Sequence, residues 1–326
     1  MRATKYIIMA SLLVFAGCPD KAKTASIEAS NEGFKNLNEG MLDMALDNFK
    51  KAIGKDKNNH RAHLGQGQVY ARKAQDEAMG GKKLRDSQKK MIQELWNKAV
   101  ESSSLAVSLK KDNAAYQLQL GMSLYEAKKE KQAKTHLEAT IKLQPDEKAY
   151  WYLGRIYATE GEPKKAAEAW RQGCMANPFF GPNFVRLGAL YVRWDMPKQA
   201  IDVLKVGAKN AKGAEYLTNI YYYLGLAYRA TAKNDDAVDA FKRSLKFSDS
   251  NKEALFQLGF ALVDKQKWKQ AAKAFKKFLS GKAGISTFDR SQAMRAQAEA
   301  RASQMTGKPP PGFMPPGGKK PPKKKK

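Results

Sequence analysis

The chain has 326 residues, 43% of them hydrophobic, and a formal net charge of +27. Its two cysteines and three histidines exclude a disulfide framework and are too few and too poorly spaced for a metal site, since His60 and His63 form an i, i+3 pair with no cysteine nearby. With no nucleophile elbow, phosphate-binding loop or paired-carboxylate motif, the residues point away from an enzyme and call for no cofactor.

The N-terminus reads MRATKYIIMASLLVFAGC, with Arg2 and Lys5 ahead of an eleven-residue apolar stretch from Tyr6 to Ala16. A hydrocarbon core ~30 Å thick needs about 20 helical residues to cross. Residues 1–17 are therefore expected to be a secretory signal peptide. Their junction, Phe15-Ala16-Gly17-Cys18, resembles the bacterial lipoprotein box, although Leu is commoner than Phe at its first position. That resemblance implies lipid attachment at Cys18, with two or three acyl chains anchoring the protein stably. Pro19, rather than Asp, follows the cysteine, which in lipoproteins leans toward the outer membrane. Residues 18–25 then read as a linker. Cys174, beside Gly173 at a helix-contact phase, reads as a small buried hydrophobe.

Between 26 and 283 a repeat dominates. Gly33, Gly121, Gly154, Gly188, Gly225 and Gly259 are each followed twelve residues later by Ala45, Ala133, Ala166, Ala200, Ala237 and Ala271. Gly67 and Ala99 form a seventh pair, stretched by a twenty-residue insertion. Successive glycines lie 34, 54, 33, 34, 37 and 34 residues apart, and the 54 is one period plus the insertion. A period near 34 with small residues at two phases predicts stacked hairpins of two helices, a Gly on the first facing an Ala on the second. Gly otherwise costs a helix roughly 1 kcal/mol. Large apolar residues fill the other phases. Leu120, Leu153, Leu187, Leu224 and Leu258 precede the Gly, and Phe49, Leu137, Trp170, Leu204, Phe241 and Phe275 follow it by sixteen. Such spacing suits helices packed on two sides.

These residues resemble the tetratricopeptide repeat family. Its LGxxY core stands at Leu153-Gly154-Arg155-Ile156-Tyr157, Leu187 to Tyr191 and Leu224 to Tyr228, and its repeat-ending proline at Pro145 and Pro178. The resemblance implies an all-α, right-handed α-solenoid of about seven hairpins. Repeat one departs from the pattern with Glu32 and Asn36, as an end unit does. A helix over 284–304 is expected to cap the other end; its AMRAQAEARA run holds few large apolar residues, so one face stays wet.

The family binds partners through a concave face lined by the first helix of each repeat. Carried onto this chain, that face holds Arg61, Leu64, Gln68 and Arg72, then Leu118, Met122 and Tyr125. Trp151, Arg155 and Thr159 follow, then Val185, Ala189 and Arg193, and last Asn219, Tyr222, Arg229, Phe256 and Phe260. Arginines interleaved with aromatics fit an extended peptide or helix with apolar anchors and acidic groups. The Lys/Asn/Arg clamp of chaperone-tail binders is absent at the matching phases. Packing of some of these aromatics into the core is the alternative.

The insertion, about 74–93 in repeat two, reads as two helices prolonged beyond the stack and joined at Gly80-Gly81. It is either a projecting contact or a tolerated surface expansion. Residues 305–326 are rich in Pro, Gly and Lys, with seven lysines and no acidic residue, and are expected to be disordered. Contact with anionic lipid or another polyanion and simple solubilisation both fit that tail. Of the +27, the tail holds +7 and residues 1–17 hold +2, leaving +18 spread over the repeats. An export signal without any groove-reading or base-stacking motif disfavours nucleic acid. The expected protein is a non-enzymatic, lipid-anchored scaffold of the bacterial cell envelope, at the outer membrane facing the periplasm. Its class resembles repeat lipoproteins that assist outer-membrane assembly, pilus-secretin pilotins among them. An adaptor for peptidoglycan enzymes or motility complexes, and a polyanion-binding surface protein, are the competing readings.

Overall fold

The computed structural model describes residues 20–79, 84–280 and 287–306, and among these the chain forms fifteen helices and no strand. The chain divides into two compact units, one ending at Ala133 and one beginning at Lys134. The first contains α1 (Lys21–Asn38), α2 (Leu42–Lys55), α3 (His60–Ala78), α4 (Asp86–Leu109) and α5 (Ala114–Glu126), and the division falls inside α6 (Glu130–Leu143). The second contains α7 (Glu147–Thr159), α8 (Pro163–Ala176), α9 (Gly181–Arg193) and α10 (Pro197–Asn210). It continues with α11 (Ala214–Ala230), α12 (Asn234–Phe247), α13 (Lys252–Asp264), α14 (Trp268–Leu279) and α15 (Thr287–Thr306).

Within each unit a helix packs on its sequence neighbours, and the first helices of successive hairpins also touch. These contacts run α1 to α3 and α3 to α5 in the first unit, and α7 to α9, α9 to α11 and α11 to α13 in the second. That pattern is an all-α stack of helical hairpins, each burying one face on its own partner and another on the next repeat.

The repeated alanines are fully buried, but at Gly33, Gly154, Gly188, Gly225 and Gly259 another side chain lies nearest the glycine. A Cβ on Gly33 would lie 2.7 Å from the Phe49 ring, and one on Gly154 2.3 Å from the Trp170 indole. At Gly188, Gly225 and Gly259 the same position is filled by Leu204, Phe241 and Phe275, at 2.4, 2.6 and 2.4 Å. The side chain sixteen residues on therefore occupies the notch that the glycine leaves. In the stretched repeat the partner is Ser103, 2.5 Å from the added Cβ of Gly67.

Each described hairpin turn has one residue in the left-handed region, always seven residues after the repeat glycine. They are Gly40, Lys128, Gly161, Asp195, Ala232 and Gln266, with φ between +54° and +78°. The amide of the following residue donates back to the carbonyl five residues earlier, as from Lys233 to Tyr228 at 2.9 Å and from Gln266's neighbour Lys267 to Leu262 at 2.8 Å. This closes the helix ends with a Schellman-type bond. A non-glycine residue there costs roughly 1–2 kcal/mol, and glycine loses some of that gain to chain entropy. Ala232→Gly is accordingly expected to raise stability by about 0.5–1 kcal/mol, measured by denaturant titration, whereas Gly161→Ala should lower it by a similar amount.

The start of the helical stack needs correction: residues 18–25 are not a linker throughout, because α1 begins at Lys21. The Asp20 carboxylate caps it, accepting from the amides of Ala22 and Lys23 at 2.9 and 3.4 Å. Ser26 then sits buried and donates to the Ala52 carbonyl at 2.7 Å. In repeat two α3 and α4 reach 19 and 24 residues, against 14 in α2. At the far end α15 lays a stripe of Ala293, Ala296, Ala300 and Ser303 against its neighbours and leaves Met294 exposed. Residues 1–19 with Cys18, the Gly80-Gly81 pair, residues 281–286 and the tail from 307 lie outside the described residues.

Candidate functional site

The face expected on the first helices is uneven. In the first unit Arg61 is exposed, its guanidinium 5.4 Å from the centre of the Phe34 ring of α1. Arg72 is also exposed and bonds to Asp76 one turn on, at 3.2 Å. Leu118 and Met122 are half-buried. Tyr125 is different: it is only 6% exposed, so it belongs to the core and not to an open face.

The second unit carries most of the expected residues. Trp151 is half-buried, with its ring edge-on to Tyr152 at 4.7 Å and the Arg155 guanidinium 4.5 Å over its face. Trp Nε1 there is buried without an acceptor among the described residues. Arg193 on α9 is exposed. Arg229 on α11 is not an open contact. Its Nε donates to the Asp264 carboxylate at 2.8 Å, its Nη1 to Gln257 Oε1 at 3.1 Å, and its guanidinium lies 5.4 Å from the Phe260 ring centre. These groups belong to α13, so Arg229 joins one repeat to the next.

Tyr222 and Phe256 occupy the same phase, three residues before the glycine, on the successive first helices α11 and α13. The structure brings them together on the wall of a cleft of about 210 Å³, with Lys252, Glu253, Gln257, Phe278 and Asp289. Phe256 leans on Phe278 and Phe260, ring centres 5.0 and 4.9 Å away, and burial pushes the Tyr222 phenol up to about 12. Tyr222 thus stays a neutral hydroxyl on an aromatic wall. Phe278 and Asp289 come from the second helix and the capping helix, which a reading confined to first helices leaves out. Cys174 is buried, and that burial raises its thiol to about 12, far from nucleophilic at neutral pH.

Two further features bear on the chemistry. Among the described residues no group of three or more His, Cys, Asp or Glu could hold a metal ion. No helix among them is long and apolar enough to cross a membrane.

An all-α stack of hairpins with anchor-lined faces defines the class: a helical-repeat scaffold. The tetratricopeptide repeat model matches residues 112–174 and 222–286. Those two segments are tetratricopeptide repeats, a helical repeat of protein–protein interaction scaffolds. Among solved structures it is similar to Pseudomonas aeruginosa pilF, with 17% identity over 72% of this chain and 97% of that one, TM-score 0.55. It is also similar to YrrB, described as a TPR protein with an unusual peptide-binding site, at 18% identity over 61% and 99%, TM-score 0.51. A repeat protein from Parabacteroides merdae aligns at 14% identity over 84% and 99%, TM-score 0.50. At these identities the likeness is one of fold. No curated protein matches the chain.

Proposed function

We propose that this chain is a lipid-anchored scaffold of the bacterial cell envelope that seats a peptide or helix of a protein partner on the first-helix face of its second unit. The observation that carries the binding part is the cleft shared by Tyr222 and Phe256, an aromatic notch rimmed by Lys252, Glu253, Gln257 and Asp289. Such a site takes one apolar anchor side chain and polar backbone or side-chain groups around it. Arg155 over Trp151 and exposed Arg193 add positive charge on α7 and α9, which suits acidic groups in the bound segment. The envelope part rests on the apolar N-terminal stretch and Cys18 in the sequence. The sharpest form of the reading is an accessory that, like a pilotin, helps assemble or localise an outer-membrane, pilus or secretion complex.

A photo-crosslinking residue placed at Arg193 and at Lys252 in cells is expected to trap one dominant envelope protein. The exposed second-helix position Lys205 should not trap it. Equal, diffuse adducts at all three positions would favour a polyanion-binding surface instead. In the same strain Cys18→Ala is expected to move the protein out of the membrane fraction and to abolish fatty-acid labelling. Unchanged partition would remove the lipoprotein assignment and leave the crosslinking result standing by itself.

A further inference from the structure

The first unit carries a second concavity, built from the hairpin turn of repeat one and the prolonged helices of repeat two. It has a volume of about 720 Å³ and is lined by Gly40 and Met41 of the turn, by Leu42, Asp43 and Met44 at the start of α2, by Lys73, Asp76 and Glu77 of α3, and by Met91 and Leu95 of α4. Its apolar surface is mostly methionine. Met41, Met44 and Met91 are 38%, 56% and 39% exposed, three large unbranched side chains facing solvent in one place. Methionine adapts its shape to different apolar guests, which is why exposed clusters of it occur on surfaces that accept helices.

The rim has the opposite sign to the chain. Asp43, Asp76 and Glu77 stand on it with a single lysine, Lys73, in a protein of net charge +27. Lys73 bonds to Asp43, and Arg72 bonds to Asp76 one turn away. These are exposed carboxylates in pairs worth little to stability, and an incoming cation can take the place of either partner. Glu77 is exposed as well. The geometry points to an occupant of definite chemistry: an amphipathic helix from a partner protein, with Leu or Met anchors on one face and Lys or Arg beside them. Such a helix lays its anchors at i, i+3, i+4 and i+7 into an apolar groove. The site is built from repeat one and the insertion, and none of its residues is among those of the proposed peptide face in the second unit.

The test uses the full chain with its methionine methyl groups labelled with ¹³C. The probe is a 14-residue helix-forming peptide carrying Leu and Met on one face and Lys on the other. The methyl signals of Met41, Met44 and Met91 are expected to shift on titration, while that of Met175, exposed on α8, stays in place. By fluorescence anisotropy, Met44→Gln/Met91→Gln and Asp76→Lys/Glu77→Lys should each weaken binding by about tenfold or more. Arg155→Glu/Arg193→Glu should leave it unchanged, which separates this site from the peptide face proposed above. Absent binding, equal shifts at Met175, or wild-type affinity in both cleft variants would overturn the proposal. So would equal affinity for a scrambled peptide of the same composition. All four substituted side chains in the cleft variants are exposed, so matched melting curves check that the fold survives.

Discussion

Gly188→Leu is expected to destabilise the protein by about 1–3 kcal/mol, because it inserts a side chain where none fits. Its Cβ would fall 2.4 and 2.6 Å from Cδ2 and Cγ of Leu204, which is itself completely buried. The change asks α9 and α10 to separate, and a close-packed interior resists that. Leu204→Ala, which vacates the same space, should cost about 2–5 kcal/mol alone. Combined, the two should lose less than their sum by about 1 kcal/mol or more, since the new leucine fills part of the hole that the old one left. Gly54 is the control: nothing lies within 4 Å of where its Cβ would stand, so Gly54→Ala should be neutral or slightly stabilising. Thermal unfolding of the four variants checks the series. Additive losses at 188 and 204 would show that these two side chains do not share one space.

Arg229→Glu is expected to cost about 3 kcal/mol in stability, irrespective of any partner. Asp264, whose side chain is only 8% exposed, would lose its Nε donor and face a second carboxylate instead. Gln257 would lose its guanidinium partner too. Reversing the pair with Arg229→Glu/Asp264→Arg should recover at least half of the loss in a denaturant titration. If the single variant melts like wild type, the link between α11 and α13 contributes nothing. Charge reversal at Arg229 is therefore a poor probe of binding, whereas exposed Arg193 and the Trp151-stacked Arg155 leave the inter-repeat contact intact.

The repeat itself was legible because glycine inside a helix is costly, so glycines recurring at one phase announce close contacts. What the spacing alone could not tell was the contact's other half. Gly and Ala are both small and twelve apart, and only the structure shows that Phe49, Trp170, Leu204, Phe241 or Phe275 fills the notch. The left-handed turn residue at a constant phase escaped notice for a similar reason. Glycine marks it only at Gly40 and Gly161, while Lys128, Asp195, Ala232 and Gln266 hide it elsewhere. Of the expected partner-facing residues three before the glycine, Trp151, Tyr222 and Phe256 are half-buried but Leu64 is buried, and those five after it (Arg72 and Arg193) are exposed. The phase four after it fails: Tyr125 is buried, and Arg229 reaches across to the next repeat. A one-residue step along a helix turns a side chain through about 100°, enough to move it from an open face to an interface. The methionine cleft depends on an insertion found in one repeat, so no periodicity pointed to it.

Phe49 fills the space beside two glycines. A Cβ on Gly65, in the following repeat, would stand 2.2 Å from its ring, as close as the one on Gly33 in its own. The ring is thus held between α1 and α3, and Asn59 adds a bond to the Ser26 hydroxyl at 2.8 Å across the same junction. End units of a linear array normally fray first, having a neighbour on one side only. Here the first hairpin and the next are clasped by a shared side chain, so amide exchange in α1 and α2 should track that of α3 as one cooperative block rather than report a loose end.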